Sequence, residues 1–133
     1  MSTVRDLMTA DPATIDVEAT LLDAWALMDR GRFRHLPVVD GDELVGVISE
    51  RDVLRTGGFA HPDGPEDVLA RLGTQGVREV MAAYPETVEA DTPIAGAATT
   101  MLDNQFGCLP VVEGRRVVGI LTSSDFLRAV VAS

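Results

Sequence analysis

Two short stretches hold the residues best able to do chemistry: Ser49-Glu50-Arg51-Asp52 and Thr122-Ser123-Ser124-Asp125. Each places a hydroxyl three positions before a carboxylate, directly after an apolar run. At a helix start that spacing makes a capping box. The hydroxyl accepts from a free backbone N–H, the carboxylate reaches back to the cap residue, and its charge suits the positive end of the helix dipole. The same arrangement is also an acceptor set for a sugar. A carboxylate held at a helix start can take hydrogen bonds from both hydroxyls of a ribose, and the remaining N–H groups can meet phosphate. Spacing by itself leaves both readings open. They are compatible, since capping would orient the acid for a ligand.

The other reactive residue types are sparse. All eleven basic residues are arginines. Without lysine there is no Walker-type phosphate loop and no Schiff-base chemistry from this chain. Two histidines (His35, His61) and one cysteine (Cys108) give no metal-ligand spacing and no intrachain disulfide. No triad or closely spaced carboxylate pair suggests an enzyme. A net charge of −10 over 133 residues opposes nucleic-acid binding. An anionic ligand would need a locally positive pocket, for which Arg34, His35 and Arg51 are the candidates. The N-terminus lacks a basic stretch followed by an apolar run, and no apolar segment nears the ~20 residues that cross a bilayer. A cytoplasmic chain without membrane contact is expected.

These residues sit in a duplicated frame. A constant shift of 73 positions, the distance from Pro37 to Pro110, aligns Val4-Arg5 with Val77-Arg78, Met8 with Met81 and Asp52 with Asp125. Roughly 19 of about 52 aligned positions are identical without a gap, which marks an internal repeat. Each copy opens with a short amphipathic turn ("VRDLM", "VREVM") and an extended piece around "PATI" or "PETV". A helix follows. Thr92 is expected to cap the second copy with Pro93 at the first helical position, and Gly31 and Asn104 suit the helix ends. Two apolar strands, "HLPVV" to "LVGVIS" and "CLPVV" to "VVGILT", are joined by hairpin signals, "DGDE" and "EGRR". A last helix starts at Glu50 or Ser123. The fold class is α/β (α+β), with β-α-β-β-α twice. One such unit is marginal alone, so the two are expected to pack around a pseudo-twofold axis. The domain reading is 1–58 for the first repeat, 59–76 for a linker with a short helix beginning near Pro65, and 77–133 for the second repeat.

"RHLPVVDGDELVGVISERDVLR" and "CLPVVEGRRVVGILTSSDFLR" resemble the signature of CBS domains, and the doubling resembles a CBS pair, or Bateman module. The resemblance covers nearly the whole chain. It implies a regulatory sensor that binds AMP, ADP, ATP or another adenosyl compound between the repeats. No cofactor is required, and a homodimer and an unidentified regulated protein partner are implied. In this family the Asp matching Asp52 and Asp125 binds ribose, and each cleft takes that motif from one repeat and its early strand from the other. Carried over, cleft one comprises Thr14, Ile15, Arg34, His35, Pro37 and Arg51 with Thr122 and Asp125. Cleft two comprises Ser49 and Asp52 with Thr87, Val88, Gly107, Cys108, Pro110 and Ser124. Cleft one gathers the positive charge, so a phosphate-bearing ligand is expected to prefer it. The rival reading is a ligand-free dimerisation or protein-interaction module.

Plainer roles compete for several of these residues. Arg34 is equally a solvated strand-edge side chain. Trp25, opposite Ala98 in the repeat, reads as core or subunit contact. Cys108 reads as a small buried hydrophobe. Gly46 and Gly119, inside strands, permit a close approach by ligand or backbone.

Overall fold

A computed structural model describes residues 2–57, 65–104 and 106–132. The loop expected around 56–65, with His61 in it, lies largely outside them. In chain order the elements are α1 (Val4–Leu7), β1 (Thr9–Ala10), β2 (Ile15–Asp16), α2 (Leu21–Gly31), β3 (His35–Asp40), β4 (Glu43–Ser49), α3 (Glu50–Gly57), α4 (Pro65–Thr74), α5 (Val77–Val80), β5 (Ala82–Ala83), β6 (Val88–Glu89), α6 (Ile94–Asn104), β7 (Cys108–Glu113), β8 (Arg116–Thr122) and α7 (Ser123–Ala132). The mixed α/β class and the repeated β-α-β-β-α order are as the sequence predicts. The very short strands β1 and β5 were not foreseen, because two residues carry no readable period. No helix among the described residues is long and apolar enough to cross a membrane.

The chain forms two compact units, and they do not follow the repeat boundaries. One unit joins residues 1–12 to 85–133, and the other comprises 13–84. In the 13–84 unit, β2 pairs parallel with β3, β3 forms an antiparallel hairpin with β4, and β5 adds antiparallel to β4. In the other unit β6, β7, β8 and β1 repeat that pattern. Gly41 and Gly114 turn the two hairpins at φ 64° and 65°, a conformation in which other residues are strained. Both hairpins carry a register shift, after Val38 and after Val111.

Each unit receives a short segment from the opposite repeat. The Val4 N–H donates to the Thr92 carbonyl and the Arg5 N–H to that of Ala90, both at 2.9 Å. In the other unit the Val77 N–H donates to the Ala19 carbonyl at 2.9 Å, the equivalent bond. Val4 and Val77 are each fully buried, in separate cores. Met8 lies against Gly119, and Met81 against Gly46. A Cβ at either glycine would stand 2.5 Å from the methionine sulfur and about 3 Å from a strand carbonyl. Close backbone approach explains both glycines without a ligand.

Two helices end where expected, at Gly31 and Asn104, and one helix start corrects the sequence reading. Gly31 is the last residue of α2, and Arg32 takes the left-handed position at φ 58°. A Cβ at Gly31 would meet the exposed Phe33 ring at 2.1 Å, so that ring would have to move aside. Asn104 likewise ends α6 and donates to the Thr100 carbonyl at 2.9 Å. α6 starts at Ile94, so Pro93, whose carbonyl accepts from Gly96, holds the capping place that Thr20 holds on α2. Thr92 therefore lies one residue outside the cap.

Candidate functional site

Both Ser/Thr-x-x-Asp pairs bond across the helix start, but among the described residues only the first shows the full reciprocal box. In the 13–84 unit the Ser49 N–H donates to Asp52 Oδ2 at 3.0 Å, and the Asp52 N–H donates to Ser49 Oγ at 3.1 Å. Asp52 is partly exposed, and its other oxygen has no donor among the described residues. In the second unit the Thr122 N–H donates to Asp125 Oδ2 at 2.8 Å, with the Thr122 hydroxyl 3.3 Å away. Here Oδ1 is occupied too. It accepts from the Thr9 hydroxyl at 3.2 Å and pairs with the Arg128 guanidinium. Asp125 is only 4% exposed, the one buried charged residue among those described. Buried carboxylate oxygens need such partners, because leaving them unpaired is costly.

Two of those partners, Thr9 and Arg128, escaped sequence reasoning. The signal for Thr9 was the mismatch with Ala82 at the equivalent position, which leaves Asp52 without a matching hydroxyl. Arg128 was visible as a basic residue three positions after Asp125, although its repeat mate Arg55 makes no equivalent ion pair with Asp52.

The remaining candidates divide between the units. In 13–84, Ile15 is buried on β2 beside Val38, and Pro37 is buried on β3 opposite Val47. His35 pairs in register with Ser49, and the Glu50 N–H donates to the Arg34 carbonyl at 2.8 Å. The strand start bearing Arg34 and His35 thus lies beside the helix start bearing Ser49 and Asp52. Thr14, Arg34 and Arg51 are exposed, and neither arginine forms an ion pair with a described residue. In the second unit Val88 pairs beside Val111, Cys108 faces Thr122 and Pro110 faces Ile120. Thr87 is partly buried, while Gly107 and Ser124 are exposed.

The titratable groups shift as burial dictates. Desolvation holds the His35 imidazole below its usual pKa. Asp52 and Glu50 oppose this, and Arg34 reinforces it. His35 is therefore neutral near pH 7, and positive charge around it rests on Arg34 and Arg51. Burial pushes the Cys108 thiol up to about 12, which removes it as a nucleophile. No cluster of described residues has the composition of a metal site.

Each unit also carries an open hollow beside its long helix. Trp25, Asp29, Arg32, Phe33, Arg34 and Glu50 line one of about 460 Å³. Its counterpart, about 550 Å³, is lined by Ala98, Leu102, Phe106, Gly107, Phe126 and Leu127, with Met101 and Ser123. Of the ligand candidates only Arg34 and Gly107 reach these hollows.

The repeated hairpin, the capped acid after it and the 73-residue shift meet their match in a family model described as CBS domain, which fits residues 4–57 and 77–132. The chain belongs to the CBS-domain family. A CBS domain-containing protein of Dictyostelium discoideum is 35% identical over 127 residues, covering 93% of this chain and 88% of that protein. Longer relatives share only the CBS region: the chain spans 24% of a homoserine O-acetyltransferase of Methanohalobium evestigatum. Among solved structures, the CBS-pair protein CBSX2 in complex with AMP superposes with a TM-score of 0.85 at 27% identity, covering 99% of this chain and 98% of that one. The CBS domain pair of protein MJ0100, in complex with 5′-methylthioadenosine and S-adenosyl-L-methionine, gives 0.81 at 27% identity, covering 97% and 99%.

Proposed function

We propose that this CBS pair is a non-catalytic regulatory module that binds an adenine nucleotide or another adenosyl compound. It would act in the cytoplasm, as a homodimer, by changing the shape that a regulated protein reads. The observation that carries the reading is Asp125: an ionisable acid kept buried at a helix start, with its oxygens oriented by Thr122 and Thr9. A preoriented acceptor of this kind suits a ribose. Relatives solved with AMP and with methylthioadenosine support the adenosyl class.

In this proposal Thr122 and Asp125 take the sugar. Arg34 and Arg51 supply charge for a phosphate, and Thr14, Ile15, His35 and Pro37 complete the first ligand set. The second set, Ser49, Asp52, Thr87, Val88, Gly107, Cys108, Pro110 and Ser124, has no such arginine pair and suits a less charged adenosyl group. The domain limits proposed for the two CBS repeats are 1–58 and 77–133, with 59–76 between them.

Calorimetric titration of AMP, ADP, ATP, methylthioadenosine and S-adenosylmethionine tests the assignment. Asp125→Ala should weaken nucleotide binding at least tenfold, with Asp52→Ala close to wild type. Equal losses, or none from Asp125→Ala, reject it. One observation favours the rival, a ligand-free interaction module. Arg128 already occupies Asp125, so a ribose must displace it. A nucleotide panel that leaves the melting temperature unmoved would select the rival, because a ligand of the folded state raises it by mass action.

A further inference from the structure

We propose, building on the adenosyl reading, that Arg128 makes the Asp125 site selective. It latches the carboxylate against neutral nucleosides and yields it to a ligand whose phosphate can take up the released guanidinium.

An ionised carboxylate has about four acceptor positions, and this chain supplies donors for all of them. Asp125 accepts from the Thr122 N–H and hydroxyl on Oδ2, and from the Thr9 hydroxyl and the Arg128 guanidinium on Oδ1. A ribose brings two more donors, so at least one present donor has to leave. The Thr122 N–H is fixed at the start of α7. Thr9 is held in β1, paired with Ile120 of β8. Arg128 is the partner free to go. Its side chain is 67% exposed, while that of the acid it pairs with is 3% exposed, so the outer surface of the pair is arginine.

The first repeat shows that this pair is not needed to start the helix. Asp52 and Arg55 have the same spacing, yet no ion pair joins them, and Asp52 still completes its reciprocal box with Ser49. Capping therefore does not account for the latch on the second copy.

The cost of release depends on what the ligand offers in return. Asp125 and Arg128 share one face of α7, a turn apart, so a freed guanidinium stays beside a sugar held by the acid. Asp125 is the only carboxylate on α7, and the helix gives the arginine no second partner. A neutral nucleoside leaves it to water. A phosphate offers a bidentate acceptor of matching shape. Because the arginine side of the pair is open to solvent, its worth is modest, and such a latch sets a severalfold preference rather than an absolute gate.

Calorimetric titration of the full chain with adenosine and with AMP tests the proposal. Arg128→Met keeps the apolar stem and loses the charge. It should bind adenosine about three- to fivefold more tightly than wild type, and AMP no more tightly, so the preference for AMP falls by at least that factor. Arg128→Gln, which leaves Asp125 a neutral donor, should shift the preference the same way. Arg128→Lys keeps a cation and should retain most of the preference, and Arg55→Met should retain all of it. A loosened unit would weaken both ligands together, which the preference does not register. Binding that depends on Asp125 but shows an unchanged preference in Arg128→Met, or weaker adenosine binding there, overturns the latch alone. No binding of either ligand, or binding indifferent to Asp125→Ala, overturns the adenosyl assignment and the latch with it.

Discussion

Replacing Gly119 by alanine tests the exchange of segments on which both units depend. The new Cβ would sit 2.5 Å from Met8 Sδ, 3.1 Å from Met8 Cγ and 3.1 Å from the Thr9 carbonyl oxygen. The thioether, packed against the core of its unit, gives way only at a cost; the carbonyl belongs to β1, paired with β8 at Thr9–Ile120 and Ala10–Gly119, and cannot move. Overpacking of this kind costs about 1–3 kcal/mol. Against it, alanine restricts the unfolded chain, a gain of about 0.4–1 kcal/mol. A net loss of about 1–2 kcal/mol follows. Removing the sulfur should relieve most of the strain, so Met8→Ala and Gly119→Ala should couple favourably by ~1 kcal/mol. The residual contact with the Thr9 carbonyl keeps the rescue incomplete. Urea unfolding, at one protein concentration, measures the cycle. Gly119→Ala paired with Met81→Ala is the control and should be additive within about 0.5 kcal/mol. Additivity for the Met8 pair, or coupling to Met81 instead, would refute the docking of residues 1–12 on the second repeat.

Three further outcomes follow from the site. Asp125→Ala should lower stability by about 2–4 kcal/mol and Asp52→Ala by only about 1 kcal/mol, because only the first removes a buried, multiply bonded acceptor; urea midpoints decide this. His35 has a lowered pKa in the folded state. Its neutral form is the one the fold favours, so its contribution is complete above about pH 6.5, the unfolded value. That contribution is lost as pH falls from there toward the lower folded value. A His35→Gln variant should show less loss of melting temperature between pH 7.5 and 5 than wild type. Cys108, pushed up to about 12, should alkylate with iodoacetamide far more slowly at pH 8 than the same chain in urea. Equal rates by mass spectrometry would contradict its burial.

The strand and helix order was legible because its signals are local. Apolar runs, the Gly41 and Gly114 turns and the hydroxyl-carboxylate boxes each lie within a few residues of what they specify. The resemblance to CBS domains was legible for the same reason, since the signature is contiguous and occurs twice. Less was visible where two local signals competed. Gly31 ends its helix as expected, yet the left-handed turn falls on the next residue, Arg32.

Sequence alone therefore determined the duplication, the element order of each copy and the positions of two acid-tipped helices. Only the tertiary structure decided that each opening segment lies in the opposite repeat's unit. "VRDLM" and "VREVM" are nearly interchangeable as local patterns, and both equivalent strands offer a glycine. It also decided that Asp125 is buried and fully bonded while Asp52 is not. That difference rests on Thr9, 116 positions away in the chain. Contacts across such separations leave no trace in local periodicity, because they are selected by the shape and polarity of a surface that exists only once the chain has folded.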